Sequence, residues 1–456
     1  MARRTVAVAA LGTTLCLVSY TAPLATLPRI AADLGSGPSG QSWILSSMSL
    51  GLTAVLLTAG TLADRFGRRR TFVAGALVLA FASAGGALSG GTGGFVAGRV
   101  VQGVGAAAVI ACSLALISHA LPPGPARSRA TGLWGAALAA GIAAGPLLAG
   151  AVGWRVLYLL IGLAGLVLAV AARALLVEST ASRPRRPDVL GMLLLAAGLA
   201  VLLAGLTGAR RLPIGAPALA LLVAGAVLLA GFVVVQVRSR RPMAGPELFR
   251  HPGLVAATVA SLVTGLGIIA LSSYLPALWG RLHGGTPLVA AALLLGWSGT
   301  SIVTALLTRR ISERVVGGAR LGGGLLVMAV GQLGLLAAGA GAGVVLAALV
   351  VTGAGTGVVN ATLGREAVAS VPPDRAGTGS GINNTSRYLG AAIGVTVTSV
   401  LTSPTGAETP AELLAGWRVA VLVAVAVTLA GAVVALACAR RAEQTPVPVP
   451  EGGGQP

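Results

Sequence analysis

One short run of charged residues interrupts an otherwise apolar part of the chain. Residues 60–70, GTLADRFGRRR, place one acid and four arginines between the apolar stretches 41–62 and 71–90. Charged side chains are costly within lipid, so a hairpin this short turns at a membrane face. An acid among bases can form ion pairs or cap a neighbouring helix. Because such contacts can close one side of a membrane protein and then break, we expect a gate here; the alternative is that the arginines only set the topology. The gate residues are Gly60, Asp64, Arg65, Gly67 and Arg68.

A second charge lies inside an apolar stretch. Arg99 falls within residues 94–119, and Gln102 and Gly103 follow it about one helical turn later. A charge at this depth costs several kcal/mol unless it faces a cavity or a partner. We therefore expect Arg99 to be functional; the alternative is that it snorkels to the outer interface from about a turn and a half inside the helix.

A third run suits close contact between helices. Gly141 and Gly145 lie four residues apart, which allows two helices to touch backbone to backbone. Pro146 kinks the same helix before Gly150. Small-residue packing is common in membrane helices, so the spacing alone does not indicate a function.

A fourth run places amides and another arginine within one apolar stretch. Asn384, Arg387 and Tyr388 lie at positions i, i+3 and i+4 of a helix and share a face. They can contact a substrate, and the alternative is that they only form hydrogen bonds between helices. Polar and aromatic groups are few within the apolar stretches, so a cavity lined by them is largely apolar and suits hydrophobic cargo. The cavity candidates are Tyr20, Trp134, Trp297, Asn360, Asn383, Asn384 and Arg387. Each of them alone is also explained by packing.

Composition defines the class of protein in which these residues work. The chain has 456 residues, 55% hydrophobic and only 10% charged, with a mean hydropathy of +0.90. A soluble domain carries roughly 25% charged residues, so this is an all-α polytopic membrane protein. The net charge is +20, and every basic residue is an arginine. Most arginines fall in one alternating set of predicted loops and at the termini, which places both termini in the cytoplasm and argues against nucleic-acid binding.

The apolar stretches predict how the chain is divided. Fourteen spans of about 20 residues can be placed, and the pair near 189–237 resembles an insert, without which the count is twelve. The sequence Gly-Trp-Arg-Val opens both the sixth and the fourteenth span, at 153–156 and 416–419, and residues 313–317 are a looser partner of the charged loop. This repeat predicts two pseudo-symmetric six-helix bundles. The predicted domains are a six-helix bundle at 1–180, two additional helices at 181–245, a second six-helix bundle at 246–441, and a disordered cytoplasmic tail at 442–456.

The four runs together resemble the major facilitator superfamily of transporters. Residues 60–69 match the pattern G-x-L-x-D-R-x-G-R-R of the loop between its helices 2 and 3. Residues 99–106 resemble its fourth-helix motif R-x-x-Q-G-x-G-A, and residues 141–150 resemble the motif G-x-x-x-G-P-x-x-x-G of drug exporters. With residues 379–390, the chain is most similar to the 14-span drug:proton antiporter subfamily. The resemblance implies alternating access, a role for Arg99, Gln102 and Gly103 in proton coupling, and export rather than uptake.

One departure from that subfamily concerns acidic residues. Its members commonly carry an acid in the first helix, and residues 19–28 of this chain contain none. No acid falls in the middle of a predicted span, so the proton carrier is unidentified. Asp33, in the first outer loop, and Asp64 and Glu366, at cytoplasmic helix ends, are the candidates. Because a permanently cationic cargo would lack a buried counter-charge, we expect neutral or anionic cargo.

The sequence therefore predicts a secondary active transporter, with no enzymatic activity, in a bacterial plasma membrane. It exports hydrophobic, neutral or anionic drugs or antibiotics by proton antiport. Its predicted partners are a small-molecule substrate and the lipid bilayer. The proton gradient supplies the energy, no metal or other cofactor is expected, and a monomer is functional. The alternatives are an importer or uniporter of a small metabolite and, more remotely, a membrane enzyme or sensor.

Overall fold

The computed structural model describes residues 2–122, 124–180, 188–209, 213–239, 242, 245–284, 287–310, 315–372, 375–402 and 409–444. Within these ranges the chain is helical and contains no strand, which confirms the expected all-α class. The charged residues Glu313 and Arg314 of the predicted loop partner lie outside the described residues, as do parts of both linkers. The predicted tail at 442–456 stays a prediction: the last helix continues to Gln444, and residues from 445 onward lie outside the described residues.

Helices follow one another along the described residues and are numbered here in chain order. Proline sets several of their boundaries, because it fits the first turn of a helix and breaks the turn before it. The helices are α1 Ala2–Thr21, α2 Pro23–Leu34, α3 Pro38–Phe66, α4 Arg68–Ala87, α5 Thr92–Ala120, α6 Pro125–Val152, α7 Trp154–Leu175, α8 Val189–Gly208, α9 Ala216–Arg238, α10 Pro252–Thr264, α11 Ala270–His283, α12 Pro287–Leu307, α13 Gly317–Gly334, α14 Ala342–Ala369, α15 Ala376–Thr402 and α16 Pro410–Gln444. A π turn at Gly265–Ile269 joins α10 and α11 into one rod.

Twelve helices in the described part of the chain are long and apolar enough to cross a membrane, when Pro252–His283 is counted as one. Neither α12 nor α15 is among the twelve. α15 is long enough, but its two asparagines, its arginine and its many Ser and Thr residues make it more polar. α12, Pro287–Leu307, is apolar over its 21 residues, and its continuously described part, Ala292–Leu307, is too short to be counted. The fourteen spans expected from the sequence therefore stay a prediction.

The helices pack in two groups, and three helix pairs form the main contacts between them. In the first group α5 lies against α3 and α4, α4 packs on α7, and α1 packs on α6. In the second group α14 lies against α12 and α13, and α16 packs on α13 and α10. Each group contains a large cluster of buried apolar side chains. The groups meet where α3 packs on α15 and where α6 packs on α12 and α14.

The two copies of the Gly-Trp-Arg-Val repeat make matching contacts. Arg155, at the start of α7, donates a 2.7 Å hydrogen bond to the carbonyl of Ala87 at the end of α4. Arg418, near the start of α16, donates a 3.4 Å hydrogen bond to the carbonyl of Leu336, just after α13. A cation at a helix C-terminus stabilises carbonyl groups that have no partner within the helix. Both arginines therefore act on the helix that packs beside their own.

The pair α8 and α9 forms a hairpin beside the contact between the groups. α8 packs on α3 and α15, and the Thr396 hydroxyl of α15 donates to the Leu206 carbonyl at 3.1 Å. Asp188 accepts hydrogen bonds from the Gly191 amide at 2.9 Å and from the Gln236 side chain at 2.6 Å, which caps α8 and joins it to α9. α9 is mostly exposed, as expected for a helix that faces lipid.

Candidate substrate cavity and its closed end

A cavity of about 500 Å³ lies between the two groups of helices. Residues of α1, α2, α3, α6, α8, α11, α12 and α15 line it, and most of them are apolar with hydroxyl and aromatic groups interspersed. Of the site residues predicted from the sequence, Tyr20, Pro146 and Trp297 line the cavity. The Tyr20 hydroxyl lies 3.3 Å from the Ser49 hydroxyl, and the Trp297 indole donates to the Thr356 hydroxyl at 3.0 Å. Such a surface accepts varied hydrophobic molecules and offers them few polar contacts.

The cavity lies at the end of the bundle opposite the charged loop. α3 lines it with residues between Ser42 and Leu50, which belong to the first half of that helix. Asp64 follows 14 residues after Leu50, roughly 20 Å further along the axis. The same helix therefore serves the cavity at one end and the charged loop at the other.

Asp64 closes the loop end by binding the start of α15. Its carboxylate accepts hydrogen bonds from the backbone amides of Gly377 and Thr378, both at 3.1 Å. The first amides of a helix lack partners within it, and the helix dipole favours a negative charge there. Gly60 lets the backbones meet, because an added Cβ would collide with the Gly377 carbonyl. These contacts join the two groups of helices, and Asp64 is only 6% exposed.

Arg68 holds the Asp64 carboxylate from the other side. The Arg68 guanidinium lies 2.8 Å from Asp64 Oδ1 and is itself buried. Gly67 places Arg68 beside Asp64 by turning the chain with a φ of +113°, a backbone angle that residues with a Cβ rarely adopt. The predicted gate member Arg65 instead stacks over the Phe66 ring, with its guanidinium carbon 4.9 Å from the ring centre. The loop thus combines a buried ion pair with a helix cap.

Sequence reasoning missed Glu178, which anchors the loop to the end of α7. Its carboxylate accepts a 3.0 Å hydrogen bond from the Arg69 amide and lies 3.6 Å from both the Arg69 and Arg70 guanidinium groups. The neighbouring Ser179 carbonyl accepts from the Arg68 amide at 2.9 Å. The sequence feature that could have identified Glu178 is its position as an isolated acid in a basic linker, just beyond a predicted span.

Arg99 lies deep in the first group of helices and makes three hydrogen bonds through its two terminal nitrogens. It is 1% exposed and donates to the carbonyls of Ser19 and Tyr20, at 2.7 and 3.2 Å, and to the Tyr158 hydroxyl at 2.8 Å. Pro23 explains the first acceptor, because proline has no N–H to bond the carbonyl four residues earlier. The guanidinium therefore fills the break between α1 and α2. This burial contradicts the snorkelling alternative.

Glycines provide the close helix contacts that the sequence predicted. An added Cβ on Gly103 would collide with the Met48 backbone of α3. Added Cβ atoms on Gly141 and Gly145 would meet the α1 backbone at Thr14 and Val18, at 2.6 and 2.7 Å. Gln102 contributes differently, since its amide donates to the Ser83 hydroxyl of α4 at 2.8 Å.

The polar residues of α15 do not line the cavity, because they are buried between it and the charged-loop end of the bundle. Asn383 accepts a 2.6 Å hydrogen bond from the Ser261 hydroxyl of α10, and the Asn384 amide donates to the Ser380 carbonyl at 3.0 Å. Arg387 is 4% exposed. The three residues lie between α3 and α10, where α15 joins the two groups of helices. In this conformation Arg387 lies about one helical turn from the cavity-lining Ala391, and the two asparagines lie about two turns from it.

The remaining candidates lie away from the cavity. Trp134 and Asn360 are buried where α6 packs on α14. Gly150 is exposed near the end of α6. Asp33 is also exposed and accepts a 2.7 Å hydrogen bond from the indole at the start of α7. Glu366 is half-buried near the end of α14, 3.8 Å from its neighbour Arg365.

The cavity lies between two groups of membrane-length helices. One end is closed by the contacts of Asp64 with Arg68 and with the Gly377 and Thr378 amides, which we call the latch. This arrangement defines a class of membrane transporter. The sequence profile of the Major Facilitator Superfamily matches residues 9–395, and the chain belongs to this family. The fold is similar to that of the human organic anion transporter MFSD10, with a TM-score of 0.69, 19% identity, and coverage of 94% of this chain and 99% of that one. It is also similar to the proton:xylose symporter XylE, with a TM-score of 0.65, 16% identity, and coverage of 98% and 96%.

Several relatives are named as export or efflux proteins. The tetracenomycin C resistance and export protein of Streptomyces glaucescens is 28% identical, over 82% of this chain and 71% of its own length. The cephamycin export protein CmcT of Amycolatopsis lactamdurans is 31% identical, over 85% of this chain and 82% of its own. The multidrug efflux pump LfrA of Mycolicibacterium smegmatis is 28% identical, over 85% and 78%. The expected membership among drug and antibiotic efflux transporters is confirmed.

Proposed function

We propose that this protein exports hydrophobic, neutral or anionic small molecules from a bacterial cell by alternating access driven by proton antiport. The observation that carries the proposal is the Asp64 latch, which closes one end of the bundle while the cavity occupies the other half. Antibiotic export by the relatives supports this direction of transport. The cavity, which is mostly apolar, supports cargo that binds by shape and hydrophobic contact.

The latch also supports an assignment of sides and conformation. The bias of arginines places the Asp64 loop and both termini in the cytoplasm. The described conformation then faces outward, with its cytoplasmic end closed. Fourteen spans arranged as two six-helix bundles and an inserted pair fit this sidedness, because α12 and α15 pack within the groups beside the counted helices. A monomer contains every element of the cavity and the latch.

Protons can couple to the cycle through the latch itself. A protonated Asp64 loses its charge, so it holds the α15 amides and Arg68 less strongly. Opening of the cytoplasmic end would then follow proton binding. Glu366 and Asp33 are the other carriers considered, and Glu366 lies at the same end as Asp64.

Inside-out vesicles that contain the purified protein test this function. With a proton gradient imposed, we expect uptake of a labelled hydrophobic antibiotic into the vesicles, which corresponds to export from a cell. Collapse of the gradient with an ionophore should stop net transport. Transport that is indifferent to the gradient would contradict antiport, and accumulation in the opposite direction would favour an importer.

A further inference from the structure

The face of α15 that lines the cavity continues below it as a polar face. Ala391 lines the cavity, and steps of three or four residues toward the start of α15 lead to Arg387, Asn384 and Ser380. Residues at this spacing share one side of a helix. Side chains on a helix lean toward its N-terminus, so Arg387 extends from the cavity floor toward the closed end.

Several polar atoms on this face are buried without partners. Among the described residues, Arg387 Nε and Nη2 have no hydrogen-bond partner, and neither have Asn384 Oδ1, Asn383 Nδ2 and Ser380 Oγ. No ion pair joins Arg387 to a carboxylate in the same part of the chain. Buried polar groups are almost always paired, and a buried charge is the most costly exception. A cluster of this kind indicates a ligand that binds in another conformation.

The latch seals this face from the cytoplasmic end. Asp64 holds the first amides of α15, and the backbones of Gly60 and Gly377 meet beside it. Arg387 lies ten residues after Gly377, roughly 15 Å along the helix. Separation of α3 from α15 at this end would therefore open a path to the guanidinium.

We propose that Arg387, with Asn383 and Asn384 beside it, is an anion site that binds an anionic oxygen group of the cargo when the transporter faces the cytoplasm. The assignment rests on the proposed export function and adds the chemical class of its cargo. Arginine suits the task because its planar guanidinium binds a carboxylate through two parallel hydrogen bonds. The two amides add donors and acceptors for the rest of the polar group. In the outward-facing conformation the site is closed, so the anion is released into the apolar cavity and leaves.

Binding of a matched pair of compounds tests the site. Tritiated 2-naphthoate and 2-naphthamide have nearly the same shape and differ by one charge at neutral pH. Scintillation proximity on purified, immobilised protein measures both, with the Asp64→Asn variant used to favour the inward-facing state. We expect Arg387→Gln to weaken naphthoate binding at least about tenfold, which corresponds to the loss of one charge-assisted hydrogen bond. The same variant should change naphthamide binding less than about twofold. Arg387→Lys should retain part of the preference for naphthoate.

Asn384→Asp provides a second variant that does not depend on removing the arginine. The new carboxylate lies one turn from Arg387 and can occupy its guanidinium in place of the ligand. We expect it to reduce naphthoate binding about as much as Arg387→Gln does while the thermal melting temperature rises. A variant that binds naphthoate normally would overturn the site.

Other outcomes separate this inference from the function on which it rests. Equal losses for both compounds in Arg387→Gln, or no binding of either to the Asp64→Asn protein, would overturn the anion site. Loss of the naphthoate preference in Arg281→Gln alone would move the site to the cavity wall, where Arg281 lies, and overturn the assignment. If short-chain phosphatidylglycerol binds with the Arg387 dependence and naphthoate does not, the site holds a lipid headgroup and the cargo assignment is wrong. An intact binding ratio without export in vesicles would contradict the proposed function instead.

Discussion

Two arginines lie deep in this protein and have opposite surroundings. Arg99 belongs to the first group of helices, and its two terminal nitrogens have three acceptors within 3.2 Å, while its Nε has no partner among the described residues. Arg387 belongs to the second group, and its Nε and Nη2 have no partner among the described residues. Both are almost fully buried, at 1% and 4% exposure, so burial does not distinguish them. The difference is that a proline break supplies acceptors to Arg99, whereas no described group accepts a hydrogen bond from Nε or Nη2 of Arg387.

This contrast indicates that the two charges serve different purposes. A buried charge that makes several hydrogen bonds holds helices together and is costly to remove. A buried charge without partners destabilises the state in which it is closed off, and its benefit must come in another state. Arg99 is therefore expected to maintain the fold around the first helix, and Arg387 to serve the transport cycle.

Replacement of Arg99 should have the largest effect on stability. Arg99→Met leaves the Ser19 carbonyl and the Tyr158 hydroxyl without their donor, and each buried polar group left unpaired costs about 1–3 kcal/mol. We expect a large fall in melting temperature and in the monodisperse fraction on size-exclusion chromatography. Arg70→Met is the matched control, because that side chain is 76% exposed. A melting temperature near that of the unaltered protein would show that the carbonyl contacts of Arg99 are dispensable.

The same substitution at Arg387 should change the stability of the fold in the opposite direction. Arg387→Met removes an unpaired buried charge and keeps an apolar chain of similar length, which is neutral or stabilising by up to about 2 kcal/mol. We expect an unchanged or higher melting temperature together with loss of naphthoate binding. If Arg387→Met destabilises the protein as much as Arg99→Met does, the contrast between the arginines is lost.

Opening of the latch should expose the surroundings of Arg387 and leave those of Arg99 closed. In a background without Cys16, Cys112 and Cys438, we expect Asp64→Asn to speed maleimide labelling of Asn384→Cys from the cytoplasmic side about tenfold, since the lost charge weakens the helix cap and the ion pair by roughly 1–2 kcal/mol.

Ser19→Cys, beside Arg99, is the matched position for that experiment and should label slowly in both backgrounds. Equal acceleration at both positions would indicate general loosening of the fold rather than opening of a gate. No acceleration at either position would mean that Asp64 does not control access.

The smallest effect is expected where the loop is anchored to α7. Glu178→Gln weakens contacts to Arg69 and Arg70 that are partly exposed, and such pairs contribute about 0–1 kcal/mol. We expect labelling of Asn384→Cys to rise about two- to threefold, and transport to fall by a similar factor. An effect as large as that of Asp64→Asn would place the main latch at Glu178.

The sequence predicted the parts of the site that depend on the free-energy cost of a charge in an apolar segment or on residue spacing along one helix. Asp64 and Arg99 stand out because a charge in an apolar chain needs a reason, and Gly141 and Gly145 because their spacing allows helix contact. The partners of these residues come from distant positions, so no local pattern predicts them. The α15 amides that Asp64 binds and the Ser19 carbonyl that Arg99 binds are backbone groups, which every residue has. The contribution of α8 to the cavity wall was missed for the same reason, since it depends on where an inserted hairpin docks.

The latch also has a consequence for how the protein is made. The Asp64 carboxylate and the Gly377 amide are separated by 313 positions in the chain. At roughly 5–20 residues per second, a ribosome needs about 15–60 s to cover that distance. During this interval the first helices are already synthesised while Asp64 still lacks the helix that it caps. In each newly made molecule the first helices therefore exist for this interval without the contact between Asp64 and α15. A chain that stops before residue 376 cannot form that contact.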